Sequence, residues 1–141
     1  MRVGFDLHGV LDAHPDVFRE STKEIMKGGD EIYIVTGPPE IQAQAELEAL
    51  GFVQGINYTK IVSVVDWLKS RLKENEMWLD DKNTWWCDDA NWWCSKARIC
   101  TEYKIFGHVD DSEKYLLGWD VTDCKTEFHL IDKDGVIERK R

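Results

Sequence analysis

The sequence predicts an α/β fold: a parallel sheet flanked by helices, carrying a small tryptophan-rich hairpin insert. Apolar strand-like runs alternate with stretches of helical periodicity through most of the chain. That alternation is the pattern of parallel strands joined by right-handed helical crossovers. Three of the runs end in polar residues, at Asp6, at Thr36 and at Asp110-Asp111. Five of the seven tryptophans fall between residues 78 and 93, which sets that stretch apart from the alternation.

Taken in order, residues 2–7 read as a buried strand, after which Gly9 lets the backbone turn tightly. His14-Pro15-Asp16 opens a helix, proline being tolerated in the first turn. Val17, Phe18, Ser21, Ile25 and Met26 share one face of it, and Gly28-Gly29 ends it. Glu31–Thr36 is a second strand, broken by Gly37-Pro38-Pro39. A helix over about 40–50 places Ala43, Leu47 and Leu50 on one face and stops at Gly51. Ile56 to Val62 reads as a third strand, and Ser63 as the cap of a helix running to about residue 74. Val64, Val65, Leu68 and Leu72 form its buried face, and Lys69, Arg71, Lys73 and Glu74 its solvated one.

In residues 75–90, Met77-Trp78-Leu79 and Thr84-Trp85-Trp86 flank a polar turn and predict a hairpin. Asp88 caps a helix to about Tyr103, with Trp93, Ala97 and Cys100 inward. Lys104 to Val109 is a fourth strand, ended by Asp110-Asp111. A short helix over Glu113 to Leu117 is expected to stop at Gly118. Phe128 to Ile131 and Val136-Ile137 form a C-terminal hairpin within residues 125–141. With 141 residues and neither linker nor repeat, one domain spanning 1–141 is expected.

A net charge of −9 disfavours non-specific binding to a nucleic-acid backbone. No apolar run approaches the roughly 20 residues of a membrane span, and no charged-then-apolar signal segment opens the chain. A cytoplasmic protein without membrane partners is expected, with its four cysteines as free thiols. They form no Cys-x-x-Cys pair for zinc.

Parallel sheets bind ligands at the carboxyl ends of their strands. Asp6, Thr36, Asp110 and Asp111 should therefore line one edge. At these residues the chain resembles the haloacid dehalogenase (HAD)-like superfamily of phosphohydrolases, which have a Rossmann-like fold. The family's first motif, an apolar strand then Asp-x-Asp-x-Thr/Val, reads here Asp6-Leu7-His8-Gly9-Val10. Its second, an apolar strand ending in Ser or Thr, is Ile32 to Thr36, and its last, a strand ending in acidic residues, is Ile105 to Asp111. The motifs span residues 3–111. Thr36-Gly37-Pro38 is similar to the corresponding turn of deoxyribonucleotidases, and the small size to short phage-encoded members.

The resemblance implies a magnesium-dependent phosphomonoesterase acting through an aspartyl-phosphate on a small phosphate ester such as a nucleotide. Asp6 would be the nucleophile. Asp6, the backbone carbonyl of His8, and Asp110 or Asp111 would hold Mg2+. Thr36, with Gly37 beside it, would bind phosphate, and either Lys96 or Lys60 would stabilise the transferring group. The departure is His8, where the family's phosphatases carry a second aspartate as general acid and base. Histidine can fill both roles. Otherwise catalysis is lost and the fold serves as a binding module. His108 alternates with Asp110 on its strand, facing the metal's side or packed in the core. Trp85 and Trp86, with Trp92 and Trp93, either stack a nucleobase or pack a small cap. A third alternative, a nucleic-acid-end phosphatase, needs a local basic groove near Lys60, Lys69 and Arg71.

Overall fold

The most apolar stretches of the chain become the inner strands of a single six-stranded sheet in the computed structural model, which describes residues 1–141. The strands are β1 (Arg2–Phe5), β2 (Glu31–Thr36), β3 (Lys60–Ser63), β6 (Gly107–Asp110), β7 (Glu127–Ile131) and β8 (Ile137–Arg139), in the spatial order β3-β2-β1-β6-β7-β8. All neighbours are parallel except β7 and β8. Five helices connect them: α1 (Pro15–Lys27), α2 (Glu40–Ala49), α3 (Val64–Arg71), α4 (Asp89–Glu102) and α5 (Leu116–Thr122). The mostly parallel sheet with flanking helices is compatible with a Rossmann-like fold. No helix is long and apolar enough to cross a membrane.

Successive residues of a strand face opposite sides of the sheet, and a parallel sheet buries both. On β2, Ile32 and Ile34 enter one core with Phe18, Ala43 and Leu47 of α1 and α2. Tyr33 and Val35 enter the other, with Leu68, Ala97 and Trp119 of α3, α4 and α5. The caps expected from sequence form: Ser63 Oγ accepts from Asp66 N–H (3.1 Å), and Asp88 Oδ1 accepts from Asn91 N–H (2.8 Å).

Two short strands, β4 (Met77–Leu79) and β5 (Trp85–Cys87), pair antiparallel apart from the main sheet. Asp80 holds their turn. Its Oδ1 accepts from Lys82 and Thr84 N–H (2.8 and 2.9 Å), and its Oδ2 from the Trp86 indole (2.8 Å).

Several boundaries differ from expectation for tertiary reasons. The third strand begins at Lys60 rather than Ile56. The preceding loop winds around the buried Asn57, whose side chain accepts from Val53 N–H (2.9 Å) and donates to Arg19 O (3.0 Å). The fourth strand begins at Gly107, because Lys104 takes a left-handed turn (φ 54°) after α4. Helix α3 stops at Arg71, short of residue 74. The C-terminal strands do form a hairpin, but β7 also pairs parallel to β6 and so extends the main sheet.

Gly118 does not stop a helix; it lies inside α5. A Cβ there would sit 2.5 Å from the Trp93 carbonyl oxygen and 2.8 Å from Cys94 Cα. Glycine therefore lets α5 close on α4 where α4 carries its tryptophans.

Candidate functional site

From the central strand β1 the chain moves outward to β2 and β3, then returns to the other side as β6. The carboxyl ends of β1 and β6 thus diverge at a topological switch point, where ligands bind in such sheets. β1 and β6 deliver Asp6 and Asp110 there side by side, with Asp6 N–H donating to Val109 O (3.0 Å). Carboxylate oxygens of Asp6, Asp110 and Asp111 all lie within 4.8 Å of one another.

The turn after Asp6 makes this approach possible. His8 is extended (φ −76°, ψ 128°), and Gly9 is left-handed (φ 80°, ψ −5°). A Cβ on Gly9 would collide with the Asp111 carboxylate. Gly9 is therefore required twice, for its backbone angle and for the space that Asp111 occupies. Leu7 N–H donates to Asp6 Oδ1 (2.8 Å), and Gly9 N–H to Asp12 Oδ1 (2.7 Å).

Lys96 reaches the cluster from the middle of α4 and is fully buried. Its Nζ donates to Asp110 Oδ2 (2.6 Å), lies 3.1 Å from Asp6 Oδ2, and sits over the Tyr115 ring at 4.2 Å. Asp110 is further held by Ser112 N–H on Oδ1 (3.1 Å) and by His108 Nε2 on Oδ2 (2.9 Å). His108 is thus a buried neighbour of Asp110, its ring stacked on Trp119.

The electrostatics follow from burial. Burial opposes ionisation of Asp110, but Lys96 and His108 outweigh it and hold this carboxyl well below its usual range. Burial likewise opposes the charge on Lys96, yet Asp110 and Asp6 keep the ammonium above the usual lysine range. Asp6 is raised, by burial first and also by Asp110, with Lys96 opposing. Asp111 is raised by burial, then by Asp110 and Asp6. Burial pushes the Tyr115 phenol up to about 12. One lysine among three carboxylates leaves a site poor in cations, and its free donors are hard oxygens.

Thr36 ends β2 fully buried, with its hydroxyl lacking any hydrogen-bond partner. Such a group is costly to bury unless something completes it. Gly37 follows and lines the cleft of about 360 Å³ that also holds Asp6, His8, Lys96, Asp111 and Tyr115. The His8 ring is half exposed on this wall, its Nε2 2.6 Å from Glu46 Oε2 on α2.

Lys60 does not join the site. It stands at the start of β3, the opposite edge from Thr36, with Nζ 5.2 Å from the centre of the Tyr103 ring. Assigning it to a strand end fails because the strand begins, rather than ends, at this residue. Trp85 and Trp86 do not line the carboxylate cleft either; Trp92 and Trp93 do. All four tryptophans meet in an adjoining cavity. Tyr115 and Glu46 were not legible in the sequence, since both arrive from elements with no local motif.

Carboxylates and a buried lysine at one cleft, with the unpartnered Thr36 hydroxyl buried just behind Gly37 of its wall, can bind a divalent cation and a phosphate-like anion together. Compared with protein-family models, with curated proteins and with solved structures, the chain matches none.

Proposed function

We propose that the protein is a magnesium-dependent phosphomonoesterase of the HAD-like kind, acting on a small phosphate ester. The observation that carries this reading is the meeting of Asp6, Asp110 and Asp111 with buried Lys96 at the switch point of the sheet. An Asp6 oxygen attacks phosphorus, and the bond from phosphorus to the ester oxygen breaks. The departing oxygen takes a proton and leaves as the alcohol. Water then attacks phosphorus, which returns the Asp6 carboxylate and releases inorganic phosphate.

Lys96 balances charge on the transferring group, and the free hydroxyl of Thr36 donates to a phosphate oxygen. His8, oriented by Glu46, supplies and removes the proton. Both Asp110 oxygens are already engaged, whereas no other residue hydrogen-bonds the Asp111 carboxylate. Asp6, the His8 carbonyl and Asp111 are therefore the favoured magnesium ligands, with Asp110 anchoring Lys96. The donor set fits this hard cation, which if held there would neutralise phosphate charge.

The experiment is turnover of an aryl phosphate with magnesium, in wild type and Asp6→Asn. The amide keeps the shape but is a far poorer nucleophile, so turnover is lost while the melting curve stays cooperative. Retained turnover in Asp6→Asn refutes the scheme. The second reading, a binding module that has lost catalysis, is favoured only by His8 and predicts a magnesium-dependent rise in melting temperature without turnover. A nucleic-acid-end phosphatase is less well supported: Lys69 covers Trp85, Arg71 pairs with Glu102, and Lys60 covers Tyr103.

A further inference from the structure

Beside the carboxylate cleft lies a second cavity, of about 310 Å³, walled by Trp85, Trp86, Trp92 and Trp93. The two spaces share Trp92 and Trp93. Its volume falls at the low end of the roughly 300–1,000 Å³ of small-molecule sites. Tryptophans serving only to pack a hairpin would close on one another, because protein interiors leave few voids larger than a water. Here they line a partly open space instead.

The four rings are not equally free. Lys69 covers a face of Trp85 at 4.3 Å, and Lys114 lies over Trp93 at 5.4 Å while Tyr115 packs against it in a T-shaped pair with ring centres 5.0 Å apart. Trp86 is tied to Asp80 through its indole N–H. Trp92 carries no cation on its ring, and its indole lies beside the Tyr115 hydroxyl. It stands against the backbone of Gly37, where a Cβ would lie 3.4 Å from the ring. Trp92 is thus fixed next to Thr36 and presents its surface to both spaces.

No lysine, arginine or histidine lines the aromatic cavity, and its charged wall residue is the carboxylate Asp89. An anionic group meets no lining cation there, whereas the neighbouring cleft holds Lys96. We propose that the tryptophan cavity binds a planar, uncharged aromatic group. Resting on the phosphomonoesterase reading, that group is the leaving alcohol of the substrate, stacked on Trp92 while its phosphate lies at Asp6. Flat rings suit flat walls, since aromatic stacking is tolerant of ring identity. With Lys69 and Lys114 lying over Trp85 and Trp93 but outside the cavity lining, no lining cation favours a second phosphate at that end.

The test separates this inference from the reaction. Calorimetric titration with 2-naphthol, which carries no phosphate, should show saturable binding to wild type and equally to Asp6→Asn. Trp92→Ala should weaken it at least tenfold and Trp92→Phe by less. Trp78→Ala, half exposed, outside the cavity lining and paired with Trp86 across the hairpin, should weaken it less than Trp92→Ala. The ratio of kcat/KM for 2-naphthyl phosphate over glycerol 3-phosphate should fall at least fivefold in Trp92→Phe or Trp92→Ala. Using this ratio cancels the intrinsic reactivity of the two esters. Absence of naphthol binding to wild type overturns the proposal, as does equal loss in Trp78→Ala. Intact binding with an unchanged ratio overturns the leaving-group assignment. Intact binding with neither ester turned over supports the cavity's ligand and overturns the phosphomonoesterase reading instead. A dimer in sedimentation that Trp92→Ala dissolves would assign the cavity to a second copy and overturn the proposal.

Discussion

Replacing Lys96 by methionine removes the one cation that touches both Asp6 and Asp110 while filling most of the same space. At 3.1 and 2.6 Å, and with an effective dielectric of about 20, the two lost attractions are about 5 and 6 kcal/mol before desolvation. Relief of the lysine's own burial cancels much of this, and breaking buried pairs typically costs about 3–5 kcal/mol. A ceiling also exists, because one carboxyl can escape by taking a proton. From an ordinary carboxylate value near 3.9, that costs about 4.2 kcal/mol at pH 7 and about 1.5 kcal/mol at pH 5. Lys96→Met should therefore lose about 3–4 kcal/mol at pH 7 and about 1.5 kcal/mol at pH 5, read from urea melts of variant and wild type.

The sign follows from linkage. In the variant a buried carboxyl has its folded pKa raised, so its contribution is full below the unfolded pKa and is lost as pH rises. Asp110 in wild type is held low, so its contribution is present above about pH 4 and is lost as pH falls further. Adding Asp110→Asn to Lys96→Met should recover part of the loss at pH 7 and flatten the difference between pH 5 and 7. A loss under about 1 kcal/mol at pH 7, or one that grows as pH falls from 7 to 5, would refute the idea that Lys96 compensates two buried carboxylates.

Other outcomes are expected. Gly9→Ala, at φ 80° and facing Asp111, should lose roughly 1–3 kcal/mol and abolish any magnesium-induced rise in melting temperature; a retained rise would show that Asp111 is not a ligand. Gly118→Ala should destabilise by roughly 1–2 kcal/mol in thermal melts, overpacking against Trp93 and Cys94 outweighing the gain in helix propensity; a stabilised variant would mean that α4 and α5 separate easily. His8→Ala should lower turnover of an alkyl phosphate by roughly 10²–10⁴ with stability nearly unchanged; unaltered turnover would remove His8 from the reaction.

The sequence by itself determined what depends on short stretches of chain. Alternating apolar runs and helical faces specified the α/β class, because burial on both faces of a strand shows in consecutive residues such as Ile32 to Val35. Ser63 and Asp88 were legible as caps because a cap satisfies backbone donors within its own first turn. Asp6, Thr36 and Asp110 could be placed at strand ends, and parallel topology then assigns those ends to one edge. The tertiary structure decided whatever depends on how elements pack. Only the packing of α4 behind β1 and β6 separates Lys96, buried between two carboxylates, from Lys60, which stands at the far edge. Only the approach of α5 to α4 shows Gly118 as a contact rather than a stop, and only the loop around Asn57 moves the third strand to Lys60. A buried charge and a close backbone approach are stabilised by partners distant along the chain, so neither leaves a periodic signal in its own neighbourhood.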